Sequence, residues 1–529
     1  MQLPAQALVQ VSSFGKRRRG STGLGMVALA AALMLQPALL AHAQSRVADG
    51  ASPRVSGGLP GLGDGVALSV SDERRLGDSI AKQIYRDPDY LDDPVLVDYL
   101  SSIWRPLIDA ANADGNIAPE VNERFAWTLV IDRTKAVNAF ALPGGYMGVN
   151  LGLLAITESP QELASVLAHE TSHISQRHIA RLMARQGSDM PLLIGAMILG
   201  ALAARNNADV ANAAIAGSQA LAIQNQLNFS RDMEREADRV GFGVLTEAGF
   251  PGQGFVSMFD KLQQSSRLND DGAFPYLRSH PLTTERMADM HLRVSSEAAP
   301  QGAASVVPPL ALHLLMAARA RVLGETVPDR WRAWVTVGSG PKASAAERYA
   351  AALSAHRLGQ HSEALAIAQS LRDQAGPETL AAVDGLMIEL LLAAPNGAKD
   401  PRLVGLRDAS VARSTRAGVL HSALAALAMG QPEWAAPRLQ TWVVNHPRDA
   451  LVWQTLSRVQ AALGQRVRAL RSEAESYTAM LDPEGALARY KAAQALPADV
   501  RRGDAMEMAI VDARQREAEA QIRELARQK

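Results

Sequence analysis

Cysteine is missing from this chain of 529 residues. Its absence excludes disulfide bonds, zinc sites built from thiolates and a lipid-modified N-terminal cysteine. The sequence also lacks a long basic run, and its formal net charge is zero. Without the basic residues 16–19, the remainder is slightly acidic. These features argue against a nucleic-acid-binding protein, because such proteins need a cluster of positive charge.

Aromatic residues are also scarce, at 5% of the chain, whereas hydrophobic residues make up 47% and charged residues 20%. These proportions are typical of a globular protein, and the length is sufficient for two or three domains with full cores. Alanine is abundant and favours helix. We therefore expect a mainly α fold.

The N-terminal segment has the pattern of a secretory signal peptide. Basic residues 16–19 precede an apolar stretch at 24–40, and a small-x-small cleavage site ends at Ala43. A retained membrane anchor is the alternative, but the apolar stretch is short for a membrane span. We expect residues 1–43 to be a signal peptide that is cleaved near Ala43, which predicts export across the inner membrane.

An H-E-x-x-H pattern lies in an apolar-periodic segment and consists of His169, Glu170 and His173. On a helix predicted over residues 160–185, the two histidines are one turn apart and project from one face. Two neutral imidazoles at this spacing can bind one zinc ion, and the glutamate then lies where a metal-bound water needs a general base. The alternative is a helix with two surface histidines and an unrelated glutamate.

A catalytic zinc site needs a third protein ligand and an open fourth position. A third histidine at position 179, as in metzincins, is excluded because isoleucine occupies it. His178 is one residue off and is expected to point away from the metal. Glu234 and Asp238 share a face of a later predicted helix, so one can bind zinc while the other accepts a hydrogen bond from a ligand histidine. By charge alone Glu236 is equally eligible, and a salt-bridged helix surface is the alternative.

Three other segments, before and between these motifs, have a readable pattern. Residues 125–132 predict a strand, and residues 138–150 predict a hairpin with a Pro-Gly-Gly turn. Proline in the turn argues that part of this hairpin is a sheet edge. The apolar run at 191–204 has 14 residues and is too short for a comfortable membrane span; with the Ala-rich segment that ends at residue 227 it predicts either a buried helical hairpin or a flap that faces membrane or substrate.

The second half of the chain shows a repeat. Glycines follow apolar helical segments at positions 324, 359, 430 and 464, so the intervals are 35, 71 and 34 residues. This period fits tetratricopeptide helical hairpins, with a generic helical bundle as the alternative. The composition predicts these boundaries: a flexible lead-in at 44–68, a first domain at 69–296, a linker at 297–309 and a helical repeat domain at 310–529.

The motifs together resemble the M48 zinc metallopeptidases. The H-E-x-x-H pattern is followed 65 residues later by E-x-x-x-D, and the segments N-A-F-A-L-P-G-G from Asn138 and H-P-L-T-T-E-R from His280 are similar to the family's other two signatures. The resemblance implies an α+β gluzincin-like metallopeptidase domain with a small edge sheet. It also implies one zinc ion per chain.

The resemblance implies a role for each matching residue. The implied zinc ligands are His169, His173 and Glu234. Glu170 is the implied general base, and Asp238 the implied hydrogen-bond acceptor behind a ligand. The hairpin implies a substrate-binding edge formed by Asn138, Ala139, Phe140 and Ala141.

His280 has two implied roles that exclude each other at any instant. In the first, it is a reversible fourth zinc ligand. In the second, it stabilises the oxyanion of the transition state, with Arg286 nearby. A loop residue that caps the following helix is the alternative.

With the signal peptide and the repeats, the resemblance implies a periplasmic zinc endopeptidase with chaperone activity. The implied substrates are unfolded or extended proteins, namely misfolded or stalled outer-membrane β-barrel precursors. The implied partner is the barrel-assembly machinery, contacted through the repeats, with peripheral membrane contact as a further option. The competing hypothesis is a non-proteolytic repeat scaffold with a structural zinc site.

Overall fold

The structure, a computed structural model, describes residues 68–186, 230–268, 274–296 and 307–527. The predicted signal peptide, the apolar 191–227 segment, nearly all of the lead-in and most of the linker therefore lie outside the described residues. Within the described ranges, no helix combines the length and the apolar character that crossing a membrane requires. The fold is mainly α with one small sheet, which confirms the predicted class.

The first part of the chain contains both helices and strands. Up to residue 296 its described elements are α1 (Val70–Ile84), β1 (Tyr90–Leu91), α2 (Pro94–Ala113), α3 (Pro119–Arg124), β2 (Thr128–Asp132), β3 (Ala139–Leu142), β4 (Tyr146–Asn150), α4 (Leu151–Ile156), α5 (Pro160–Ser175), α6 (His178–Gln186), α7 (Arg231–Glu247), α8 (Gln253–Leu268), α9 (Pro275–Ser279) and α10 (Thr284–Ser296).

The second part is helical throughout its described residues. Its elements are α11 (Leu310–Leu323), α12 (Pro328–Gly338), α13 (Ala345–Arg357), α14 (His361–Asp373), α15 (Pro377–Ala393), a 3-10 turn (Gly397–Lys399), α16 (Arg402–Val411), α17 (Arg416–Ala428), α18 (Pro432–Asn445), α19 (Ala450–Ala462), α20 (Arg466–Ala479), α21 (Pro483–Gln494), α22 (Ala498–Gly503) and α23 (Ala505–Arg527).

The sheet has the strand order β1-β2-β4-β3. Strand β4 pairs in parallel with β2 and antiparallel with β3, so β3 lies at one edge, as the hairpin pattern predicted. The side chain of Phe140 on β3 packs across Gly148 of β4, where any Cβ would overlap its ring. β2 begins three residues later than the predicted strand, because Trp127 has a positive φ of 45° that breaks the extended conformation.

The helix predicted over residues 160–185 is two helices. It begins at Pro160, after the N-cap Ser159, whose hydroxyl accepts a hydrogen bond from the Glu162 amide. α5 ends at Ser175, and Arg177 adopts a left-handed conformation with φ of 52°. α6 then starts at His178 in a new direction. The prediction of one continuous helix is therefore wrong at this point.

α7 crosses α5 at close range. Gly241 of α7 faces α5 so closely that a Cβ at this position would lie 3.2 Å from backbone atoms of Ala168 and His169. Such a separation is tighter than most real Cβ contacts. Glycine therefore lets the two helices approach each other, which brings the carboxylates of α7 next to the histidines of α5.

Consecutive helices of the second part pack against one another, as a solenoid requires. Three of the four periodic glycines, Gly359, Gly430 and Gly464, lie in the left-handed conformation just after a helix. Gly324 does not, since its φ is −79°. The assignment of these hairpins to the tetratricopeptide type remains a prediction.

The two parts of the chain share a hydrophobic core. α11 packs against α4, and one continuous cluster of buried side chains extends from Val70 to Ala425. Arg319 of α11 binds both Asp93, at the N-cap of α2, and Glu389 of α15. The helical part is therefore fixed to the first part by packing and by buried charges.

Candidate metal centre

The α5 helix presents two histidines to one point. His169 and His173 are one turn apart, and their Nε2 atoms are 3.0 Å from each other. Both side chains are buried. α2 fixes the helix from behind, because Trp104 Nε1 donates a 2.9 Å hydrogen bond to Thr171 Oγ1. A pair of nitrogens this close, aimed at the same point, is the arrangement that a shared cation requires.

α7 adds two carboxylates on adjacent turns of one face. Glu234 Oε2 is 3.5 Å from His169 Nε2, and its Oε1 is 3.5 Å from His173 Nε2. Asp238 Oδ1 lies 3.0 Å from Nδ1 of His169, on the opposite side of that ring. The structure thus brings Glu234 to the point shared by the histidines and places Asp238 behind one of them.

His280 completes the cluster from the loop that follows α9. Its Nδ1 is 3.3 Å from His169 Nε2 and 3.0 Å from Glu234 Oε1. The backbone N–H of His280 donates to Tyr276 O at 2.9 Å, and the two rings stack with centroids 4.7 Å apart. The loop therefore holds this histidine over the other three side chains.

The geometry of these four residues fits a zinc ion. Each offers one ligand atom, and these atoms all lie within 4.8 Å of one another. Zinc with bonds of about 2.0–2.1 Å in a tetrahedron has ligand-to-ligand edges of about 3.3–3.4 Å. The observed separations of 3.0 to 3.5 Å between ligand atoms bracket these edges. Three imidazole nitrogens and one carboxylate oxygen that converge on one point are also a set of ligand types that zinc accepts.

Glu170 lies beside the cluster. Its Oε2 accepts a 2.9 Å hydrogen bond from the backbone N–H of Ala141, whereas its Oε1 is buried and has no hydrogen-bond partner. Oε1 is 3.5 Å from Nε2 of His280. Burial raises the pKa of this carboxyl group above its ordinary value. A raised pKa makes Glu170 a stronger base than a solvated carboxylate.

Electrostatics distinguish the two histidines of α5. Burial alone would lower the pKa of His169, but hydrogen bonds to Asp238 and Glu234 outweigh it and raise the pKa to about 9. Burial, together with the positive charge of His169, lowers the pKa of His173 well below its ordinary value. Although burial opposes it, the charge of His280 and hydrogen bonds from His169 and His280 lower the pKa of Glu234. Glu234 is therefore ionised, as a metal ligand must be.

Arg286 is also buried at this centre, where it lies against the carboxylates of α7. Its Nε and Nη2 donate to both oxygens of Asp238 at 2.6 and 2.8 Å. Its Nη1 lies 2.8 Å from Glu234 Oε2 and donates to Pro281 O at 2.9 Å. Arg286 therefore ties the His280 loop to the two carboxylates of α7. A role for Arg286 near an oxyanion stays a prediction.

The predicted substrate edge lies next to Glu170. On β3, Ala139 and Ala141 face the core under α5, whereas Phe140 faces the other side of the sheet. Asn138 O accepts from the Asn150 amide, so the alternate residues Ala139 and Ala141 direct their backbone groups away from β4. The structure thus brings one end of this edge into hydrogen-bond contact with the base.

Two residues that the sequence did not assign also contact the centre. His178 Nδ1 is 2.8 Å from Nδ1 of His173, the nitrogen on the far side of that ring from the shared point, so His178 contacts a ligand histidine from behind and not the metal position itself. Glu236 Oε2 is 3.2 Å from His178 Nε2 and receives Arg181 at 2.9 Å. Burial lowers the pKa of His178 to about 4, which keeps the ring neutral. The left-handed Arg177 turns His178 inward, and the sequence carried no signal for it.

Comparisons with known proteins agree with this geometry. Residues 99–294 match the sequence model of peptidase family M48. The chain is 29% identical over 435 residues to the beta-barrel assembly-enhancing protease of Escherichia coli strain K12, covering 79% of this chain and 83% of that protein. It is 33% identical over 267 residues to a putative beta-barrel assembly-enhancing protease of Vibrio cholerae, covering 50% of this chain and 52% of the relative.

A third relative comes from a eukaryote. The chain is 26% identical over 196 residues to the mitochondrial metalloendopeptidase OMA1 of Saccharomyces cerevisiae, covering 36% of this chain and 54% of that protein. The part of the chain that matches the family model contains the buried histidines and carboxylates of the centre. The chain therefore carries a peptidase domain of family M48, and it is a zinc-dependent metalloendopeptidase.

Proposed function

We propose that this protein is a periplasmic endopeptidase that acts in outer-membrane β-barrel assembly and cleaves misfolded or stalled barrel precursors. The observation that carries the proposal is the buried cluster of His169, His173, Glu234 and His280 with Glu170 beside it. The similarity to beta-barrel assembly-enhancing proteases, over most of both chains, supports the choice of substrate class. The signal-peptide pattern predicted at residues 1–43 supports the periplasm.

The side chains would divide the work as follows. Zinc held by His169, His173 and Glu234 would polarise the peptide carbonyl and lower the pKa of a water molecule. Glu170 takes a proton from that water, because its Oε1 is buried, unpaired and next to the cluster. The Ala141 amide keeps the other oxygen of Glu170 in place. Glu170 then delivers the proton to the leaving amine.

His280 would control access to this centre. Its Nδ1 takes the fourth position of the cluster, and its Nε2 lies 3.5 Å from the oxygen that Glu170 needs as a base. In this arrangement the centre is closed to a substrate carbonyl. Opening requires the loop around His280 to move, and Arg286 resists this movement through its bond to Pro281 O. We therefore propose that His280 is a reversible fourth ligand, and that Arg286 holds the loop.

The edge of β3 would bind the substrate backbone. An extended chain can pair with the outward-facing groups of Ala139 and with the carbonyl of Ala141, whose N–H is donated to Glu170; this pairing would place the substrate backbone beside Glu170. Backbone pairing selects for unfolded or extended proteins more than for particular side chains. This selectivity fits a protease that removes precursors before they have folded.

The helical part, residues 310–529, would contact the barrel-assembly machinery and hold clients. Stacked helices offer an extended surface for proteins. Domain boundaries at 69–296, 297–309 and 310–529 and a chaperone activity belong to the same proposal. The glycines that end α13, α17 and α19 support tetratricopeptide hairpins.

A second candidate function has one observation in its favour. Four protein ligands make a closed site, which is typical of structural zinc. The protein would then be a repeat scaffold without proteolysis. The unpaired buried oxygen of Glu170 argues against this alternative, since a structural site has no use for a base.

The variant Glu170→Gln separates the two functions. We expect it to retain zinc near one ion per chain and to lose cleavage of an unfolded protein, such as casein, by about 10²–10⁴-fold, because the amide cannot accept the proton. Glu158→Gln is the matched control just before the same helix, where the glutamate side chain is 81% exposed. Unchanged casein cleavage by Glu170→Gln would reject the enzymatic mechanism.

A further inference from the structure

Each histidine of α5 has a second ring nitrogen that faces away from the shared point. For His169 this is Nδ1, and Asp238 Oδ1 lies 3.0 Å from it. For His173 this is also Nδ1, but its partner is another imidazole, with His178 Nδ1 at 2.8 Å. The two histidines therefore have different partners behind them.

Only one placement of the ring protons allows His173 to contact His178 and to bind a metal at the same time. His173 must keep Nε2 unprotonated toward the shared point, so its proton is on Nδ1 and is donated to His178. His178 Nδ1 is then the acceptor, and its own proton is on Nε2. Glu236 Oε2 lies 3.2 Å from that nitrogen and accepts a hydrogen bond from its N–H group. The chain of donors and acceptors ends at a carboxylate.

The break between α5 and α6 makes this contact. On a continuous helix a residue five positions after His173 would point about 140° away from it. The left-handed conformation of Arg177 turns the chain, so that His178 is buried against His173. α7 then supplies Glu236 from the other side.

We propose that His178 and Glu236 are positioning residues for the zinc ligand His173, with the role that Asp238 has for His169. A ligand imidazole whose other nitrogen is hydrogen-bonded keeps one tautomer and one ring orientation, which strengthens its bond to the metal. All three carboxylates at positions 234, 236 and 238 of α7 then serve the same centre. The inference rests on the proposed function, because it takes His173 as a zinc ligand.

The test measures zinc affinity of the full chain by competition with a chromophoric chelator. We expect His178→Leu to weaken zinc binding by about 10–100-fold, because the leucine fills the space but accepts no hydrogen bond. His178→Gln should recover most of this loss, since its amide has both an acceptor for His173 and a donor for Glu236. Glu236→Gln should weaken binding by a few-fold. The control Asp232→Asn, on an exposed carboxylate of the same helix, should not change it.

Unfolding of the zinc-free variants, followed by circular dichroism, separates positioning from packing. A positioning role predicts that zinc-free His178→Gln and Glu236→Gln unfold at the same temperature as the zinc-free parent. The proposal is overturned if His178→Leu binds zinc as tightly as the parent, or if glutamine at position 178 recovers nothing. His173→Ala distinguishes a failure of the proposed ligand set from a failure of the positioning role alone. If this variant keeps the parent's zinc affinity, the proposed ligand set fails; if it loses zinc and His178→Leu does not, only the positioning role fails.

Discussion

Two buried clusters of charged side chains in this protein look alike but are built on opposite rules. At the contact between the two parts of the chain, Arg319 binds Asp93 and Glu389, so a cation lies between two anions. At the metal centre, nitrogen faces nitrogen and Glu170 Oε1 has no partner. The first cluster is complete with protein atoms alone, whereas the second needs a cation from outside the chain. A buried polar atom without a hydrogen-bond partner therefore separates the functional cluster from the structural one.

Removal of zinc should have the largest effect of the changes that distinguish the metal centre from the Arg319 cluster. Dialysis against a chelator should reduce casein cleavage to background, because no side chain of the cluster can replace the cation. Added zinc should restore the activity. The Arg319 cluster contains no metal, so the far-ultraviolet circular dichroism of α11 to α23 in the zinc-free protein should match that of the parent. Cleavage that survives zinc removal would contradict the assignment of the centre.

Replacing the buried arginine should have the next largest effect. Arg319→Leu leaves Asp93 and Glu389 buried without the arginine that binds both, which costs about 3–5 kcal/mol. Denaturant unfolding would show this as an earlier transition. Arg332→Leu, at an arginine whose side chain is 64% exposed, is the control and should change stability by less than about 0.5 kcal/mol. Equal transitions for the two variants would mean that the Arg319 cluster does not fix the two parts together.

The same cluster predicts a loss of stability in acid. Burial alone would raise the pKa of Glu389, but Arg319 and His421 lower it to about 2. Its ionised form therefore stabilises the folded state above the unfolded pKa of about 4.5, and this stabilisation is lost as the pH falls toward 2. We expect the parent to be more stable than Glu389→Gln by about 2–3 kcal/mol at pH 7 and to lose this advantage below pH 4.5. Urea unfolding at several pH values measures the difference.

The smallest effect concerns the loop over the metal centre. His280→Ala should retain zinc, since three ligands remain, and should cleave casein several-fold faster than the parent because the fourth position is open. Thr283→Ala, beside the same loop, is the control for loop disturbance. Slower cleavage by His280→Ala with unchanged zinc content would favour the oxyanion role instead.

The sequence predicted most of the centre because its key residues follow local rules. His169 and His173 are one helical turn apart, and that spacing alone places them on one face. Charge could not separate Glu234 from Glu236, since the choice depends on how α7 crosses α5. The family signature favoured Glu234, and in the structure Glu236 faces His178 instead.

Other features had no local signal at all. The turn at Arg177 directs His178 inward, and its left-handed backbone conformation is not predicted by the presence of an arginine. The bond between Asp93 and Arg319 joins residues 226 positions apart, so neither residue's neighbours reveal it. Periodicity predicted the helical second part but not its shared core with the first, because the pattern of a helix shows which face is buried and not against what.

Gly241 contributes no functional group, yet it determines how closely α7 can approach α5 at the metal centre. A methyl group at this position would push α7 away from α5 by a few tenths of an ångström. Metal–ligand bonds tolerate deviations of about 0.2 Å. The clearance between two helices and the permitted error of a coordination bond are thus of the same size. The absence of a Cβ at this position therefore sets the distance between the two helices and, with it, the geometry of the metal centre.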